Sequence, residues 1–171
     1  MITIIDRRVF LQLVKTVYAA YNKESLGSLF GRRKDDSFII DYSVSTQKTI
    51  SRTPTRLYIS ANQANRLETV VEPLEELLGY YHSHCDHWNS RTIQRASLTP
   101  STSDLTDFLV ETCPLLLMLS VHKTSKNNPL CIRPDYISGT FRGNGTKFHV
   151  AMRTYYREGK RHHIGEIKLI F

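Results

Sequence analysis

Leu77-Leu78-Gly79-Tyr80-Tyr81-His82-Ser83-His84, followed after a polar stretch by Pro100-Ser101-Thr102-Ser103-Asp104, is the part of the chain on which the reading turns. Leu77 to His82 is a short apolar and aromatic run, the pattern of a buried strand. Side chains alternate faces along a strand, so imidazoles at His82 and His84 point the same way. Ser101, with Asp104 three residues on, is a capping box that opens a helix carrying Leu105, Phe108 and Leu109. Two neutral imidazoles and one carboxylate can grip a divalent metal. Three N and O ligands with the fourth position left to water is the form of a catalytic zinc site and not a structural one. No set of four thiolates or imidazoles in the sequence competes with it.

Upstream, Asp6 is positioned to cap a helix whose apolar stripe is Phe10, Leu13, Val14, Val17 and Tyr21, ending near Asn22–Lys23. Leu26 to Phe30 reads as a strand, bounded by Gly31 and a charged turn over Arg32–Asp36, and Ser37 to Val44 as its hairpin partner. Gln47 to Pro54 is polar and carries a proline, the composition of a loop. Ser60-Ala61-Asn62-Gln63 fits a capping box, with Ala64, Leu67 and Val71 continuing a helix as far as Pro73.

Between and beyond the two decisive segments, residues 85–99 show no period and read as a loop. Pro114 to Val121 is almost continuously apolar, as a strand covered on both faces is. Ile137–Phe141, Lys147–Tyr156 and His163–Phe171 read as a terminal set of strands, with Gly143-Asn144-Gly145 as a turn. The expectation is one α/β domain over residues 1–171, a mixed sheet flanked by helices.

Composition excludes several classes. Apolar residues make up 40% of the chain and Gly and Pro are not in excess, which excludes disordered and fibrous types. The formal charge of +7 favours an acidic partner, but no aromatic and basic interleaving of a nucleic-acid module accompanies it. Cys85, Cys113 and Cys131 are an odd number without a CxxC pair, so neither a disulfide framework nor a zinc ribbon is indicated. The start of the chain lacks a signal-peptide pattern, and Pro114–Val121 is too short to span a bilayer, so a cytoplasmic protein without a membrane segment is expected.

His82-Ser83-His84 with Ser101-x-x-Asp104 resembles the JAMM signature H-x-H-x7-S-x2-D of the MPN-domain metalloproteases. Glu24-Ser25-Leu26-Gly27-Ser28-Leu29-Phe30-Gly31 resembles that family's segment in which a catalytic Glu ends the first helix and precedes the first sheet strand. The resemblance covers roughly Val9 to Val121. It departs at two points. Residues 85–103 number 19 where the family has 10, and Cys85 stands where the family commonly has Pro. The added length falls in a loop, where it costs little closure entropy.

The resemblance implies a single MPN (cytidine-deaminase-like) domain and a Zn2+ ion held by His82, His84 and Asp104. It further implies Glu24 as the general base that takes a proton from water, and the Ser101 hydroxyl as donor to the developing oxyanion. The implied reaction is hydrolysis of the amide bond at the C-terminus of ubiquitin or a ubiquitin-like protein. A sulfur-carrier tail or other peptide as substrate, and a non-catalytic scaffold role in a larger assembly, stay open. Each motif alone has a plainer reading: an isolated H-x-H is common, Ser101-x-x-Asp104 is a cap needing no metal, and Glu24 could be a solvated helix-end carboxylate. Cys85 and His87 lie close enough in sequence to be stray ligands, but soft sulfur would close the open position, so loop roles fit both better. Trp88 in the added loop fits a buried anchor or a substrate platform equally, and His162-His163 reads as surface.

Overall fold

In the computed structural model, the described residues are 1–21, 23–45, 51–52, 57–58, 76–89, 92–110, 114–143 and 145–171. Strand β1 (Ile2–Asp6) runs directly into helix α1 (Arg7–Ala19), and β2 (Ser25–Lys34) and β3 (Ser37–Ser45) form a hairpin. The short β4 (Ser51–Arg52) and β5 (Leu57–Tyr58) pair with each other, and β6 (Glu76–Cys85) follows. Then come β7 (His87–Asn89), β8 (Thr92–Gln94), helix α2 (Thr102–Val110) and β9 (Leu115–Lys123). The chain finishes with β10 (Cys131–Arg133), β11 (Tyr136–Gly143), β12 (Thr146–Glu158), β13 (Arg161–Ile164) and β14 (Glu166–Ile170).

Ten of these strands form one sheet in the order β10-β11-β12-β9-β6-β2-β3-β1-β14, with β13 beside β12 past the end of β11. Pairing is parallel at β1/β14, β1/β3 and β6/β9 and antiparallel elsewhere in the sheet. Its far ends approach each other: the Ile167 N–H in β14 donates to the Pro134 carbonyl, next to β10, at 2.7 Å. Helix α1 contacts β1, β3, β9, β11 and β14, strands from both halves of the sheet. Val9, Phe10, Leu13, Val14 and Val17 bury its apolar stripe, and Phe10 meets Phe141 edge-on at 5.7 Å. A sheet so curled around a helix is close to a barrel.

This corrects the expected sheet flanked by helices. Among the described residues strands make up 61% and helices 15%, so strand-to-strand pairing dominates there and no helical layer of described residues covers the sheet on both sides. The physical reason lies in segments too short or too charged to read as strands. Ile2–Asp6 is only five residues long before a helix cap, yet Thr3 and Ile5 are buried between β3 and β14. Arg32, Arg33 and Lys34 belong to β2, not to a turn: Arg33 pairs with Glu76 at 3.2 Å and lies over the Phe38 ring, and Arg32 faces Asp41 at 3.7 Å. The turn is confined to Asp35–Asp36, with Asp35 at φ 51°. The run His163–Phe171 is split at Gly165 into β13 and β14. Residues 85–99 are not irregular throughout but contain the β7–β8 hairpin. The helix expected from Ser60 to Pro73 lies outside the described residues, as does most of Gln47–Pro54 and the turn residue Asn144.

Helix α1 starts where expected. Asp6 has extended backbone angles and its Oδ1 accepts from the Val9 N–H at 2.8 Å. Among the described residues no helix is long and apolar enough to cross a membrane.

Candidate metal centre

Strand β6 lies between β2 and β9 and sends alternate side chains to opposite faces. Tyr81, Ser83 and Cys85 are buried on the core side, while His82 and His84 are partly exposed on the other. Cys85 therefore ends a strand and packs into the hydrophobic core, on the face away from the two imidazoles. Gly79 lets β6 approach β9, because a Cβ there would collide with the Leu115 carbonyl.

Glu24 reaches the imidazoles through the β2–β6 pairing. Ser25 is in register with Ser83 and Leu26 with His82. The buried Ser83 Oγ accepts from the Ser25 N–H at 2.8 Å and pins the first residue of β2. Glu24, one residue earlier, is 6% exposed and brings Oε2 to 3.3 Å from His82 Nε2. On the other side of the same ring, Nδ1 lies 2.9 Å from Asp104 Oδ1. His84 Nδ1–H donates to the Ser97 carbonyl at 3.0 Å, which turns Nε2 towards Asp104 Oδ2 at 3.3 Å. Fixing one imidazole nitrogen with a backbone carbonyl leaves the other as the ligating atom, a usual arrangement at metal centres.

The electrostatics follow from this crowding. Burial lowers the His82 pKa, but hydrogen bonds to Asp104 and Glu24 and their negative charge outweigh it and raise the pKa to about 9. Burial pushes the Asp104 carboxyl up, while hydrogen bonds with His82, His84 and Ser101 and the His82 charge drive it well below the ordinary carboxylate range. Without a metal, each ring N–H of a protonated His82 faces a carboxylate, Glu24 at Nε2 and Asp104 at Nδ1. A metal ion ligated by one of those nitrogens would displace its proton.

Asp104 is held at the start of α2 by a reciprocal cap. Its Oδ2 accepts from the Ser101 N–H at 2.6 Å, and its own N–H donates to Ser101 Oγ at 3.2 Å. Ser101 Oγ also bonds Ser103 Oγ at 2.9 Å and stays exposed. The β7–β8 segment is tied back beside the centre: Asp86 takes Arg95 at 3.1 Å and the Ala96 N–H at 2.9 Å. Tyr155 of β12 donates to the Leu98 carbonyl at 3.1 Å, on the same return leg as Ser97.

All five residues singled out in the sequence thus come together. Among the described residues, Glu24, His82 and His84 form a group whose donor atoms all lie within 4.8 Å of one another, and this group could hold a metal ion. Asp104 adjoins it through both imidazoles. A set of imidazole nitrogens and carboxylate oxygens without thiolate fits zinc in an open site. His87 and Trp88 lie in β7. His162 is 6.4 Å from the Tyr155 ring, and His163 stacks on Tyr156 at 5.2 Å. Four supporting groups escaped the sequence reading: Ser83 Oγ, the Ser97 carbonyl, Asp86 and Tyr155. Ser83 carried a signal, a small polar residue facing the core between two imidazoles; a backbone carbonyl carries none.

No protein-family model matches the chain, and no curated sequence does. Among solved structures, the chain is similar to protein DSY2949 of Desulfitobacterium hafniense, with a TM-score of 0.58 at 18% identity over 99% of this chain and 93% of that one. It also aligns with AF2198, a JAB1/MPN domain protein of Archaeoglobus fulgidus, with a TM-score of 0.47 at 15% identity over 98% of this chain and 97% of that one. The first of these likenesses shows a shared fold.

Proposed function

We propose that the chain is a single-domain, JAMM-type metal-dependent peptidase. In this reading His82, His84 and Asp104 hold Zn2+, Glu24 is the general base, and the bond cut is the amide at the C-terminal tail of ubiquitin or a ubiquitin-like protein. The observation that carries the reading is the convergence of Glu24, His82, His84 and Asp104, drawn from a pre-strand residue, a central strand and a helix cap.

A bound zinc ion supplies Lewis acidity towards water and an amide carbonyl. The chain's own residues do the rest. His84 is oriented by the Ser97 carbonyl so that Nε2 faces inward, and Asp104 is oriented by its cap. Glu24 is nearly buried and fixed by the β2–β6 register, placed to take a proton from water and return it to the leaving amine. The Ser101 hydroxyl, exposed beside Asp104, donates to the oxygen on which negative charge develops. An extended tail suits a sheet edge, and the β4–β5 and β7–β8 ribbons each have two strands, with β7–β8 following directly on His84 and Cys85.

The test is incubation of the zinc-loaded chain with a ubiquitin-like protein carrying an amide-linked C-terminal extension, and with unrelated peptides. Cleavage at the end of the tail, stopped by a chelator and by Glu24→Gln, is expected. No cleavage of any substrate overturns the peptidase reading, and cleavage of unrelated peptides alone overturns the substrate.

A further inference from the structure

The sheet face that carries His82 and His84 continues past them. Strand β9 runs parallel to β6 with His82 opposite Met118 and His84 opposite Ser120, so the next side chain of β9 on that face is His122. His122 is in turn directly opposite His149 on the antiparallel β12. Side chains at such a cross-strand pair stand about 4.5–5.5 Å apart at Cβ. The two rings have centroids 5.1 Å apart and tilted by 43°, against 5.0 Å for the His82 and His84 rings. Two imidazoles sharing a tetrahedral ion at ~2.0–2.1 Å from each nitrogen have centroids roughly 5 Å apart.

We propose that His122 and His149 form a second site for a divalent transition metal of borderline softness, such as Zn2+ or Cu2+, distinct from the centre at His82 and His84. His122 Nδ1 is buried and has no hydrogen-bond partner among the described residues, although a buried polar atom normally has one. Neither imidazole is used by the proposed hydrolysis. Burial pushes both below the ordinary histidine range, with His122 adding to the effect on His149, so both are neutral and keep a lone pair at neutral pH. The nearby Asp86 carboxylate favours a cation at His122, while Arg95, which is paired with Asp86, opposes it. Asn128 Nδ2 lies 3.3 Å from His149 Nδ1, so the amide N–H donates to that atom. A half-turn of the side-chain amide brings its oxygen there instead, where it accepts the Nδ1 proton and leaves Nε2 to the metal. Imidazole donors select zinc, copper or nickel over magnesium or calcium. Two protein ligands make this an exchangeable site, with solvent in the remaining positions.

The experiment separates the two sites. The His84→Ala chain, which lacks a donor of the first centre, is dialysed to equilibrium against micromolar Zn2+ and its bound metal is measured. About one ion per chain is expected, and adding His149→Gln or His122→Gln should weaken that uptake by more than ~100-fold, beyond the loss of a supporting partner alone. Copper-loaded His84→Ala should show imidazole nitrogen coupling in its electron paramagnetic resonance spectrum, and His149→Gln should reduce it. Zinc uptake unchanged by both histidine substitutions, or no uptake by His84→Ala, overturns the site. Neither result depends on whether the first centre cleaves anything.

Discussion

Glu24 Oε2 stands 3.3 Å from His82 Nε2, and the distance is set by a neighbour of each: Ser25 and Ser83, joined by a buried 2.8 Å hydrogen bond. Glu24 is therefore held by the sheet and not by a flexible helix end. Replacing it with Gln keeps the shape and removes the base. Glu24→Gln should retain fold and zinc and lose roughly 10²–10⁴ in hydrolysis rate, the usual worth of a positioned general base. Turnover assays alongside metal analysis check this, and near-normal turnover removes Glu24 from the mechanism.

Ser101→Ala should act twice. Its Oγ accepts from the Asp104 N–H, so its loss should lower stability by about 1 kcal/mol. As donor to the oxyanion it should also cost ~10²–10³ in rate. A lower melting temperature with unchanged turnover would leave capping as its sole role.

The metal-free chain should show a specific pH dependence. The His82 pKa is raised from 6.5 to about 9 on folding, so its contribution is fully present below the unfolded value and is lost as pH rises through about 9. Asp104 is depressed, so its contribution is present above the unfolded value of 3.8 and is lost as pH falls below it. In chelator, the melting temperature of the parent should exceed that of His82→Gln at about pH 6, and the gap should narrow by about pH 10. A constant gap would show that the imidazole is not charged between its carboxylates.

The segment after β6 should divide into two functions. Residues 87–95 hold the hairpin, whereas Ser97 orients His84 and Asp86 grips the Ala96 N–H. Deleting 87–95, nine residues, should leave zinc binding intact and shift activity between substrates, since loop length itself costs little. Extending the deletion through Ser97 should weaken zinc binding by ~10–100-fold, the worth of an orienting partner. Equal zinc affinity in both deletions would detach Ser97 from the centre.

The candidate site was more legible than the fold. Its residues are polar groups in chemically restrictive positions, and the alternation of a strand and the Ser101–Asp104 cap are local rules that hold in the structure. The fold depends on non-local pairing, which leaves weaker local traces. β1 is legible as a strand only once β3 and β14 lie on either side of it. The Arg32-Arg33-Lys34 run resembles a turn until Glu76, Phe38 and Asp41 are there to satisfy its charges. The stripe of α1 was plain, but no local pattern tells that the sheet curls around it and brings Ile167 to Pro134.

Zinc content after exhaustive dialysis into metal-free buffer tests most directly whether His82, His84 and Asp104 hold a metal tightly. The parent should keep about one zinc per chain, because three protein ligands hold the ion, and His82→Ala and His84→Ala should each keep far less. Zinc retained equally by the parent and both substituted chains, or by none of them, would contradict such binding.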